Sequence, residues 1–232
     1  MAEFAVGLVA AGLGAGLAML AAETLRRGRA RAAERGAFFD EAASLFTRPR
    51  RGMGSAGFPR LAGHYGGAGF DLQAVPDTLT FRKLPALWVL VTLPRALPVA
   101  ATLNVMIRPT GTEPFSHFHL LPDQIAAPPG FPDDCALRTD NPGALPPEAL
   151  LRPHLRLFDD ALVKELVVSP KGLRITFLAE EANRGRYLIF RDAELGRNPV
   201  APARIRPHLD ALLALCADLA GGASAPKESR TA

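Results

Sequence analysis

The sequence predicts an α+β protein. An N-terminal single transmembrane helix is followed by a mainly antiparallel β domain, a bent sheet or small barrel, capped by a C-terminal helix. Three observations predict it. Phe4 to Ala22 is an uncharged run of 19 residues bounded by Glu3 and Glu23. Beyond residue 60, short apolar stretches alternate with Gly- and Pro-containing turns, the pattern of consecutive strands. Ala203–Ala220 carries apolar residues at helical spacing and stops at Gly221.

The uncharged run fixes where the chain sits. As a helix it is about 28 Å long at ~1.5 Å per residue, which matches a hydrocarbon core of roughly 30 Å. A helix satisfies its own backbone hydrogen bonds and so can cross where a loose chain cannot. The Phe, Val and Leu side chains contribute about −2 to −4 kcal/mol on the insertion scale, with Ala and Gly adding little. Met1-Ala2-Glu3 lacks the positive charge that precedes a cleaved secretory signal, so an uncleaved anchor is expected. In helical projection Gly7, Ala11, Gly14, Ala18, Ala21 and Ala22 share a side with no large side chain. A helix of a membrane protein partner, or of a second copy, can approach closely there. The literal G-x-x-x-G pair, Gly12 and Gly16, lies outside that side.

Arg26, Arg27, Arg29, Arg31 and Arg35 follow at once. Positive charge beside a spanning helix marks the cytoplasmic side. The N-terminus is therefore expected outside and the folded domain in the cytoplasm. The same arginines suit anionic headgroups of the bilayer, at about 1 kcal/mol each. The helix is expected to continue, with Phe38, Ala42, Leu45 and Phe46 forming an apolar stripe that meets the membrane surface or the domain. Residues 47–59 read as a linker of Gly, Pro and Arg.

Charge supports this division. The formal net charge of +4 is concentrated in residues 24–60, with nine Arg against Glu34, Asp40 and Glu41. Residues 61–232 balance at 18 basic and 18 acidic side chains. The folded part thus lacks the basic patch of a nucleic-acid binder. Cys135 and Cys216 form no disulfide framework and fit a reducing compartment. The expected organisation is an anchor (1–23), a basic juxtamembrane helix and linker (24–59), a β-rich cytoplasmic domain (60–222) and a disordered tail (223–232).

Within the domain, Leu61–Tyr65 and Phe70–Val75 flank a glycine-rich turn and read as paired strands. Leu79 and Phe81 suggest a third. Ala86–Leu93 is a buried central strand with Trp88 in the core, and Thr102–Arg108 alternates as another strand. Eight prolines across residues 122–153 exclude regular structure apart from a short strand at Cys135–Arg138 and a helical turn near Glu148–Leu151. Leu155, Phe158, Leu162 and Leu166 suggest a short helix or turn. Glu165–Ser169 and Leu173–Leu178 flank Pro170-Lys171-Gly172 as a hairpin, and Arg186–Arg191 reads as the last strand. Pro207 is expected in the first turn of the C-terminal helix, whose apolar face comprises Leu209, Leu212, Leu213, Cys216 and Leu219.

Chemistry is sparse. If extended, Ser116-His117-Phe118-His119 would aim both imidazoles to one face, yet a catalytic zinc needs a third protein ligand, and no recognised spacing supplies one. Asp133 and Asp134 beside Cys135 raise a thiol pKa, the wrong direction for a nucleophile. Lys164-Glu165 and Glu180-Glu181 read as solvated charge, and Arg184, Arg186 and Arg191 as surface charge paired with neighbouring acids. No nucleophile elbow or P-loop occurs. The expected function is an interaction or assembly module held at the inner membrane face, without catalytic residues, metal or cofactor. The alternatives are a membrane-tethered hydrolase or metal-dependent enzyme using His117, His119 and the proline-rich loop, or a lipid-handling domain.

Overall fold

The computed structural model describes residues 2–78, 84–111, 113–191 and 193–222, with side chains of the first helix described at Gly7 and from Gly12 onward. The strand expected around Leu79 and Phe81 and the tail 223–232 lie outside the described residues. The chain is α+β, with one large antiparallel sheet and a C-terminal helix.

The N-terminal helix, α1 (Ala2–Gly36), is a single run of 35 residues. It continues through Gly28 without interruption. Among the described residues, no helix is long and apolar enough to cross a membrane. Every side chain from Gly12 to Ala33 is exposed. The chain then turns into the domain, where Phe38, Phe39, Ala42, Ala43 and Phe46 are all buried. The stripe expected here therefore docks on the domain. Val200 N–H donates to Phe38 O at 2.8 Å, and the Phe38 and Phe39 rings meet edge-on at 5.0 Å.

The expected linker is a correction. Residues 47–53 form a strand, β1 (Thr47–Met53), paired antiparallel to β2 (Pro59–Tyr65). All seven residues of β1 are exposed, so no apolar alternation marks it in the sequence. The sheet continues with β3 (Ala68–Asp77), β4 (Ala86–Leu93), β5 (Leu103–Ile107), β6 (Asp123–Ile125), β7 (Cys135–Thr139), β8 (Val163–Ser169) and β9 (Gly172–Glu181). The described strands run in the order β1-β2-β3-β4-β9-β8-β5-β7-β6, all neighbours antiparallel. Among the described residues β1 and β6 are edges with no pairing between them, so the sheet is open and not a closed barrel. The proline-rich segment supplies the edge strand β6 and its neighbour β7, then α2 (Glu148–Leu151) and a 3-10 segment (Arg152–Asp159).

Strand alternation sends two sets of side chains to opposite faces. Leu87, Val89, Val91, Leu173, Ile175 and Phe177 point to the main core. That face is covered by the Phe38–Phe46 segment, α2 and α4 (Pro202–Gly222). Helix α4 buries Ile205, Leu209, Leu212, Leu215, Cys216 and Leu219, each worth about 1.5–3 kcal/mol for a leucine-sized side chain. Because α4 begins at Pro202, Pro207 lies inside the helix, beyond its first turn. The opposite face holds a smaller cluster of Leu90, Met106, Phe115 and Phe118, with Trp88 half-buried against the Phe115 ring at 4.6 Å. Trp88 thus belongs to this second layer, not to the main core.

One further element departs from expectation. Arg186–Arg191 is not a strand but part of helix α3 (Arg184–Phe190). Asn183 caps it, its side-chain oxygen accepting from Arg186 N–H at 3.0 Å. Arg191 then closes it in the left-handed region at φ 53°.

Candidate functional site

Two surfaces carry chemistry: the end of the sheet from which α1 departs, and a groove on the face away from α4.

The departure end is defined by register. Met53 pairs with Pro59, Asp77 with Ala86, and Ala86 with Glu181, so these strand ends lie together. The foot of α1 joins them there. The Arg35 guanidinium stands 5.4 Å from the centre of the Phe58 ring, and Glu34 accepts from Arg197 Nε at 2.8 Å. Arg197 also pairs with Glu194 at 2.9 Å, and Glu194 with Arg186 at 2.7 Å. The chain between β9 and α4, including α3, is thereby tied to the last turn of α1. Glu180 accepts from Gly196 N–H at 2.7 Å. Burial raises its carboxyl pKa above the ordinary value, and the N–H groups of Gly196 and Asn198 partly offset this.

Of the five arginines between residues 26 and 35, Arg27 pairs with Glu23 at 2.8 Å one turn earlier, and Arg31 and Arg35 line a small cavity with Phe58, Glu194 and Arg197. Arg26 and Arg29 are exposed on the helix. The structure therefore divides the five: Arg31 and Arg35 sit at the domain junction, and the others stand clear along α1. On the small-residue side, Gly14, Ala18, Ala21 and Ala22 are exposed, and a Cβ built at Gly7 or Gly14 would meet nothing within 4 Å. The side chain of Ala11 lies outside the described residues.

The second surface is a groove of about 680 Å³. Its floor is a row across four strands: Thr92, Arg174, Val167 and Asn104, which are register neighbours on β4, β9, β8 and β5. The β8–β9 turn at Pro170-Lys171 and His117 stand at its rim. Gly172, at φ 143°, sits where a Cβ would collide with the Leu93 carbonyl, so only glycine closes this turn.

Beside this row, on the same face and under the loop that carries Ser116, lies Glu165, fully buried. It accepts from Asn104 Nδ2 at 2.7 Å, Thr176 Oγ1 at 2.9 Å and Arg174 Nη2 at 3.1 Å, and from the Ser116 hydroxyl. Ser116 Oγ also accepts from Phe118 N–H at 3.0 Å. A buried carboxylate is tolerable only with such partners. The arrangement clamps the 110–121 loop onto the sheet. Lys164 is buried too, its ammonium donating to the Arg108 carbonyl and standing 4.0 Å from Glu113. Both residues correct the expectation of solvated charge. Their signal was positional: a charged pair inside the apolar strand Val163–Val168.

His117 and His119 do not share a face. His117 has φ −99° and ψ 20°, turning the chain into a 3-10 turn over 118–120. His117 then faces the groove, while His119 stands 3.5 Å from Glu113, an ion-pair distance too long for a good hydrogen bond. Burial acts to raise the Glu113 pKa, but bonds from Thr110 N–H and hydroxyl, then Lys164 and His119, outweigh it and leave it lowered. His154 meets Asp218 at 2.7 Å. Among the described residues no group of three or more His, Cys, Asp or Glu side chains could hold a metal ion. Burial, then Asp134 and Asp133, raise the Cys135 thiol pKa, and Cys216 is buried under α4.

Two features escaped the sequence altogether. His208 is buried and stacked on Phe177 at 4.4 Å, and burial pushes its pKa down to about 4. The α3 side chains Leu188, Ile189 and Phe190 are exposed at 57, 74 and 66 %. Compared with known proteins, the chain matches no family model, no curated protein and no solved structure.

Proposed function

We propose that this is a single-pass membrane protein. Residues 4–22 of α1 are the anchor, and the sheet domain is a non-enzymatic interaction or assembly module held at the cytoplasmic face. One observation carries the reading. The helix leaves the domain at Glu34 and Arg35 with Leu13, Leu17, Met19, Leu20 and Leu25 each more than 60 % exposed and uncovered by the other described residues. Water does not tolerate a long row of solvated leucines, so a bilayer or another apolar surface must cover it.

The uncharged run in the sequence begins at Phe4, ahead of the continuous described side chains, and its full 19 residues match a bilayer in length. Its arginines lie on one flank only, which supports the domain on the cytoplasmic side. The junction supports a further point. Because Glu34, Arg35 and Phe38 are engaged with the domain, the anchor and the sheet are joined with little free chain between them.

The test is extraction of host membranes with alkaline carbonate. The native chain should stay with the membrane. Leu13→Arg combined with Leu17→Arg adds about 5–7 kcal/mol at the helix centre, more than the run's apolar gain of about 2–4 kcal/mol, and should release it. A native chain recovered in the soluble fraction would end the proposal.

A further inference from the structure

Outside α1, the exposed large apolar side chains among the described residues are Met53, Leu120, Leu188, Ile189 and Phe190. Four of these five lie at the end of the sheet from which α1 departs. Met53 ends β1 there, and the other three stand on α3, which follows the strand end at Glu181. Such clustering is not expected of a solvated surface, where single apolar residues scatter.

Two exposed arginines bracket α3, while the neighbouring acid Glu194 is already engaged by Arg186 and Arg197. Arg184 opens α3 and Arg191 closes it, both exposed, with the Arg191 guanidinium 5.8 Å from the Tyr187 ring. Arg186 lies 5.7 Å from the Phe190 ring while its Nη2 meets Glu194. Short apolar side chains framed by arginines are the composition of a segment that rests in a headgroup layer. The apolar part enters the acyl boundary, and the guanidinium groups meet phosphate.

Distance permits it. From Ala22, the end of the anchor, to Glu34 is twelve residues, about 18 Å along the axis. A headgroup layer takes up roughly 6 Å of this. A seven-residue helix is about 10 Å long, which spans most of the ~12 Å that remain, and an ordinary tilt of α1 shortens the rest.

We propose that α3 is a second membrane contact: Leu188, Ile189 and Phe190 dip into the interface of an anionic bilayer, and Arg184 and Arg191 bind its lipid phosphates. The inference rests on the anchor reading above and adds to it. With α1 and α3 both engaged, the sheet has a fixed tilt, and the Lys171 groove at the opposite end of β8 and β9 is turned away from the membrane toward the cytoplasm.

The experiment uses the full chain reconstituted in vesicles of phosphatidylcholine and phosphatidylglycerol, with lipids brominated near the ester end of the acyl chain. Phe190→Trp adds a reporter, and the native chain, whose one tryptophan is Trp88, gives the baseline. The added emission should fall about two-fold or more in bromolipid, as for a ring at the headgroup–acyl boundary. Arg184→Glu with Arg191→Glu should restore most of it. No quenching of the added tryptophan, in protein that resists carbonate extraction, would overturn the α3 contact and leave the anchor standing. Protein that carbonate extracts would overturn the anchor reading, and this inference with it. Equal quenching in vesicles of phosphatidylcholine alone would overturn the requirement for anionic lipid.

Discussion

Phe38 is the residue on which the rigid junction depends. Its ring is 1 % exposed, it packs edge-on to Phe39, and its carbonyl accepts from Val200 N–H just before α4. Phe38→Ala removes a buried ring and leaves a cavity between the foot of α1 and the sheet, a change that costs about 3–5 kcal/mol. That is a large part of the roughly 5–15 kcal/mol that holds a domain folded. At about 2–4 °C per kcal/mol for a domain of this size, the melting midpoint should fall by roughly 6–20 °C. Phe190→Ala is the control: its ring is 66 % exposed, and in detergent its loss should cost no more than about 0.5 kcal/mol. Thermal unfolding of both variants in mild detergent, followed by the fluorescence of Trp88, measures the difference. Equal midpoints would refute the inclusion of the Phe38–Phe46 segment in the core. The same reasoning predicts that residues 37–222 fold in detergent-free buffer, whereas residues 60–222, stripped of that segment and of β1, do not.

Three other outcomes follow from particular side chains. His208, with a pKa of about 4 when folded against about 6.5 unfolded, stays neutral while the unfolded chain takes up a proton. Stability should therefore be fully present above pH 6.5 and fall as pH drops toward 4, by about 3 kcal/mol in all from this group; urea midpoints for His208→Phe should show a shallower decline across that window. Glu165→Ala leaves Arg174 and the Asn104 amide without their carboxylate and should cost about 3 kcal/mol or more in urea unfolding; a loss below about 1 kcal/mol would show that the clamp contributes little. Gly172→Ala forces a Cβ onto the Leu93 carbonyl at positive φ and should cost more than about 1 kcal/mol, where the same change at open Gly67 should cost less if its own positive φ is the whole penalty.

Elements with a strong apolar pattern could be read from the sequence. Ala86–Leu93 is continuous and apolar because it lies between neighbours on both edges and is covered on both faces. The β8–β9 hairpin announced itself through Pro170-Lys171-Gly172, and α4 through its leucine spacing. What failed to show was held by something other than apolar burial. The exposed strand β1 is defined by backbone pairing to β2, and its Arg-rich composition resembles a linker. Tyr187, Leu188, Ile189 and Phe190 have strand-like composition, but no neighbouring strand pairs with them and Asn183 starts a helix instead. Glu165 looked like surface charge because its four partners come from three distant segments, at 104, 116 and 174–176, which no local pattern links. The groove was invisible for the same reason: its floor is a register row assembled from four strands.

The most direct measurement is the side of the membrane on which Ala232 lies. Full-length chain is fused at Ala232 either to alkaline phosphatase, which needs an oxidising exterior to form its disulfides, or to a fluorescent protein that matures in the cytoplasm. With arginines lying only after the anchor, the fluorescent fusion should be bright in the membrane fraction and the phosphatase fusion inactive. An active phosphatase fusion would place the sheet domain outside the cell, and a bright fusion in the soluble fraction would show that residues 4–22 do not hold the chain in the bilayer.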